Sequence, residues 1–84
     1  MPIIASNFKT NHTRKSTALF INEVNDYLKE KNISSEVYVF PPATSLDCFN
    51  TVSNFTVGTQ NAYATASGSF TGEIGTSQLD EFEI

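Results

Sequence analysis

The stretch Glu36-Val37-Tyr38-Val39-Phe40-Pro41-Pro42 reads as a strand that is made to stop. β-branched and aromatic side chains suit an extended, half-buried backbone. Two consecutive prolines then withdraw the N–H groups that a ladder needs, so the strand ends at Phe40. Upstream, from about Ser16 to Lys31, Thr17, Phe20, Ile21, Val24 and Leu28 recur at three- and four-residue steps and share one helical face. Asn22, Glu23, Asp26, Lys29 and Glu30 fall mostly elsewhere. Thr13 or Ser16 can cap the start, and Lys29 and Lys31 suit the negative end of the helix dipole. Before that helix, residues 2–6 form a short apolar strand that begins with Pro2, a position strands tolerate.

Downstream of the prolines, Thr44-Ser45-Leu46-Asp47 matches a capping box with Asp in the place of Glu. Leu46, Phe49 and Val52 follow at helical spacing and predict a second helix. Phe55 to Gly58 predicts a third strand. Residues 61–75, "NAYATASGSFTGEIG", carry three of the four glycines and no periodicity. A loop this long inside a compact domain is usually functional or disordered. Ser77 and Asp80 open one more helix, with Leu79 and Phe82 as its apolar positions. The order β-α-β-α-β-loop-α implies an α/β fold with parallel strands, right-handed crossovers and cover on both sheet faces. In such folds ligands meet the carboxyl ends of strands. Asn7 and Lys9, Pro41, and Gln60-Asn61 all follow strand ends, so the topology gathers them at one edge.

With 84 residues the chain is sized for a single domain. Nine acidic against five basic residues leave a net charge of −4, and no basic stripe is present, which argues against a nucleic-acid partner. Cys48 is the single cysteine, so neither an intramolecular disulfide nor a Cys-rich metal site is available, and it reads as a small core hydrophobe. No apolar run approaches the ~20 residues a bilayer span requires. With no signal-like segment the sequence predicts a cytoplasmic protein without membrane contact. Phosphate-loop fingerprints and metal-ligand spacings are absent.

Three features carry chemistry. Lys9 is an ammonium at a strand end, suited to bind a phosphate or carboxylate and to stabilise developing negative charge. Asn7 can orient it. His12, in the polar loop beyond, reads as surface. Phe70-Thr71-Gly72-Glu73 sets a large ring beside a hydroxyl, a glycine and a carboxylate at a loop tip, and an exposed ring of that kind suits a docking surface.

Together these residues resemble the triosephosphate isomerase family. Asn7-Phe8-Lys9 matches its Asn-aromatic-Lys motif at the end of the first strand, with Phe8 where many members carry Trp. Pro41-Pro42 matches the pair ending its second strand, Gln60-Asn61 the residues after its third, and Gly68 to Ile74 its Gly-x-Phe-Thr-Gly-Glu-Ile loop. The resemblance covers nearly the whole chain. It implies the first three βα units of a (β/α)8 barrel, residues 1–84 being a partial single domain that stops before the fourth strand; full barrels have about 250 residues. It implies a glycolytic and gluconeogenic isomerase that interconverts dihydroxyacetone phosphate and D-glyceraldehyde 3-phosphate without cofactor or metal. Lys9 would be catalytic, Asn7 and Lys9 would bind the substrate, and Phe70, Thr71, Gly72 and Glu73 would reach into the partner of a homodimer. The family's glutamate base and electrophilic histidine fall outside these residues, so the 84-residue chain alone is expected to be inactive. Two other readings of the same residues are a free-standing α/β module, binding an anionic metabolite or a protein through Lys9 and loop 61–75, and half of a nucleotide-binding domain. The second lacks glycines at its first strand–helix turn.

Overall fold

A computed structural model describes residues 2–49, 55–82 and 84. Strands β1 (Ile3–Asn7), β2 (Glu36–Phe40) and β3 (Thr56–Val57) form one parallel sheet in the order β1-β2-β3. Ile3 pairs with Glu36 and Asn7 with Phe40, while Tyr38 and Val39 face Thr56 and Val57. Helix α1 (Arg14–Glu30) joins β1 to β2, a 3-10 helix (Ala43–Phe49) follows β2, and α2 (Thr76–Asp80) lies beyond the long loop.

Helix α1 begins two residues earlier than periodicity alone suggests, because its cap is Thr13 and its third residue is Ser16. The Ser16 N–H donates to Thr13 Oγ1 at 3.1 Å, and the Thr13 N–H donates to Ser16 Oγ at 2.9 Å. The pair thus satisfies two N–H groups reciprocally. The far end closes on Asn32, which is left-handed at φ 52°. The Asn32 N–H donates to Lys29 O at 3.2 Å and the Ile33 N–H to Leu28 O at 3.2 Å, the two bonds of a Schellman ending.

The apolar stripe read from the sequence is the buried one. Thr17 and Ile21 are buried and Phe20, Val24 and Leu28 half-buried. Ile21 packs with Val39 of β2 to make the core, with Cys48, Phe55 and Val57 against it. Leu46 and Leu79 are buried as well, whereas Phe82 is exposed.

Three expectations need correction. The segment after Pro42 is described as a 3-10 helix rather than an α-helix; it opens with the Ser45 N–H donating to Pro42 O, three residues back, at 2.9 Å. Val52 lies outside the described residues. Asp47 does not close a capping box, because its carboxylate accepts from Arg14 Nε at 3.0 and 2.9 Å and from Arg14 Nη2. Finally, cover is not uniform across the sheet: Val39 is buried, but Ile3 and Ile4 of β1 are 65% and 52% exposed.

Candidate active site

Every strand delivers its carboxyl end to the same edge of the sheet. The Phe8 N–H continues the ladder past Asn7 by donating to Phe40 O at 3.1 Å, and the Gly58 N–H does the same for β3 by donating to Val39 O at 2.9 Å. Pro41 is buried at this edge.

The chain reverses immediately after β1. Asn11 N–H donates to Phe8 O at 3.1 Å, closing a four-residue turn. Lys9, its second residue, has φ 56°, a conformation that turns ordinarily assign to glycine. Side chains hold it there from both sides. Asn7 Oδ1 accepts the Lys9 N–H at 2.8 Å, an Asx turn. Gln60 Nε2 donates to Lys9 O at 3.0 Å and to Phe40 O at 2.8 Å. One amide beyond β3 therefore ties the ends of β1 and β2 together. Phe8 is buried beneath the turn, edge-on to Phe20 of α1 with ring centroids 5.1 Å apart, and 4.9 Å from the His12 ring. Lys9 itself is exposed, and among the described residues no carboxylate pairs with its ammonium. The backbone below this cation is fixed, and the ammonium itself is free to meet an anion.

Loop 61–75 is ordered by its own backbone. Tyr63 N–H donates to Ile74 O at 2.7 Å and Thr76 N–H to Thr65 O at 2.8 Å, so the two arms run side by side. Ser77 Oγ–H donates to Ala66 O, docking the loop on the first turn of α2. Gly75 permits that approach, since a β-carbon there would lie 2.9 Å from Ala66 O. Gln78 Oε1 accepts the Gly75 N–H at 2.9 Å. At the tip Gly72 takes φ 81°, and the Phe70 ring packs tilted against Tyr63, with centroids 4.7 Å apart, yet stays 50% exposed. Thr71 and Glu73 are exposed beside it. A cavity of about 140 Å3 under the tip is lined by Thr65, Ser67, Phe70 and Glu73 among others.

The profile of the family described as triosephosphate isomerase matches residues 2–84. The chain belongs to that family. Its sequence is 46% identical to the triosephosphate isomerase of Wolinella succinogenes, 51% to that of a Sulfurovum species and 54% to that of Sulfurimonas denitrificans, each over 98% of this chain. The chain spans only about a third of those relatives, 33–35% of their length, and corresponds to the N-terminal region of triosephosphate isomerase, with the family's α/β architecture. Membership disfavours the reading as a free-standing small α/β module.

The remaining chemistry is modest. Among the described residues no group of His, Cys, Asp and Glu could hold a metal, and no helix is long and apolar enough to cross a membrane. Burial pushes the Cys48 thiol above its ordinary value, helped by the Asp47 charge, and the thiol donates to Arg14 O at 3.4 Å. That is an inert packing role. Sequence reasoning placed Gln60 near the edge without assigning it a task. It read His12 as surface, and His12 is exposed, but the reading did not foresee that its ring also packs against Phe8. A glutamine clamp and a left-handed histidine leave no periodic signature.

Proposed function

We propose that the protein carrying this chain interconverts dihydroxyacetone phosphate and D-glyceraldehyde 3-phosphate, as a cytoplasmic homodimer. The observation that carries the reading is an unpaired Lys9 ammonium on a turn locked by Asn7 and Gln60, in a chain of the triosephosphate isomerase family. The reaction takes a proton from C1 of dihydroxyacetone phosphate and returns one to C2. An enediolate forms between the two transfers, and its negative oxygen is what a fixed cation stabilises. Lys9 binds the anionic substrate and supplies that stabilisation, and Asn7 holds both the turn and the substrate. The proton itself is moved by family groups that lie outside the matched third. Phe70, Thr71, Gly72 and Glu73 meet the second subunit, which covers the exposed Phe70 ring.

The test is steady-state isomerisation by the protein as its gene encodes it. Lys9→Met should lower kcat/KM by roughly 10²–10³-fold, the scale for removing one preorganised charge-stabilising group. Absence of turnover in the parent protein, or a Lys9→Met variant as active as the parent, overturns the reading. Residues 1–84 expressed alone should show no turnover above buffer.

A further inference from the structure

Lys9 is not the only residue near the first strand end with an unfavourable backbone. His12, three residues on, has φ 73°. A β-carbon disfavours this left-handed region, where glycine sits freely. Such a residue persists only where its surroundings over-determine it.

The surroundings of His12 are specific. Its ring lies 4.9 Å from Phe8 and 6.0 Å from Phe20, tilted by 47° and 49°. Its Nδ1 shares a hydrogen bond with Ser16 Oγ at 3.1 Å. Phe8 precedes Lys9 and is anchored to β2 through its N–H. Ser16 is the reciprocal partner of the Thr13 cap. His12 therefore touches the last anchored residue before Lys9 and the first turn of α1 beyond it. Asn7 and Gln60 fix the turn from the strand side, and His12 fixes it from the helix side.

We infer that His12 is a positioning residue for Lys9, holding the 8–13 loop between Phe8 and Ser16 so that the ammonium stays in one place. The inference rests on the isomerase reading above.

The experiment compares the parent protein, as its gene encodes it, with His12→Gly and His12→Asn, using dihydroxyacetone phosphate as substrate. Glycine relieves the left-handed backbone but removes the ring and the bond to Ser16. Asparagine tolerates the same backbone and keeps a polar group near Ser16, without the ring. A cation that wanders binds its anion less well, so KM should rise more than kcat falls in His12→Gly, with kcat/KM down roughly tenfold. His12→Asn should fall between the two. A purely structural role would reduce the folded fraction, lowering kcat while leaving KM where it was. An active parent with an unchanged KM in His12→Gly overturns this inference and leaves the isomerase reading standing. A parent without turnover overturns both. Should His12→Gly not fold, KM in His12→Asn decides by the same criterion.

Discussion

The amide of Asn7 and the ammonium of Lys9 are two residues apart because one fixes the backbone of the other. Asn7 Oδ1 accepts the Lys9 N–H at 2.8 Å and so stabilises a φ of 56° that lysine would not adopt freely. The acceptor and the rest of the amide can be separated by mutation. Asn7→Asp keeps the acceptor, so thermal stability should change by no more than about 0.5 kcal/mol. It also sets a negative charge beside the ammonium and repels an anionic substrate, so kcat/KM should fall at least tenfold. Asn7→Ala loses the bond itself and should cost about 1 kcal/mol of stability in addition to activity. Thermal melts and kinetics on both variants check this; an Asn7→Asp protein with parental kcat/KM would remove Asn7 from the site. The Asn-aromatic-Lys pattern was legible in the sequence as a candidate site. The reason for its spacing was not, because an asparagine can make several local bonds, and the Gln60 amide that completes the hold on Lys9 comes from beyond β3.

At the level of elements, sequence patterning succeeded where one periodicity ran long enough to be unambiguous. Helix α1 carries five apolar-face positions over more than three turns, and each of them is buried or half-buried. The short segment after Pro42 shows the opposite case. Four residues matched a capping box, but Asp47 had a stronger partner in Arg14, 33 residues away in sequence. That ion pair ties the first turn of α1 to the 3-10 helix. The Arg14 hydrogen bond holds the Asp47 carboxyl below the ordinary aspartate value. A depressed folded value means that the stabilisation is complete above the unfolded value of about 3.9 and is lost as pH falls through the lower folded one. Both side chains reach solvent, at 69% and 37% exposure, so the gain is small and screened by salt. In thermal melts Asp47→Asn should sit below the parent at neutral pH. The gap should close on acidification below the ordinary aspartate range, and shrink at about 1 M salt, where the Debye length is about 3 Å. A gap that persisted at low pH would mean that Asp47 acts through packing instead.

Across the whole molecule, the parallel order and the common edge of strand ends were readable from β-α alternation alone, because right-handed crossovers leave few alternatives. The uneven cover was not. Composition counts apolar residues without saying which find partners, and here Val39 is buried while Ile3 and Ile4, on the outermost strand, stay open to solvent. β1 has β2 as a neighbour on one side, and β3 likewise has β2, so within the described sheet each outer strand presents an open edge. Unpaired N–H and C=O groups beside exposed isoleucines are a template for further strand pairing. The three-stranded unit should therefore self-associate when residues 1–84 are expressed alone. Sedimentation over a hundredfold concentration range should show mass rising with concentration, and Ile3→Lys should reduce it by placing a charge at the edge. The same substitution leaves the turn that holds Lys9 intact, since its hydrogen bonds come from Asn7, Phe40 and Gln60. A concentration-independent monomer with a sharp, cooperative melt would show that the sheet edges are closed by the chain's own residues, and that these residues form an autonomous folding unit.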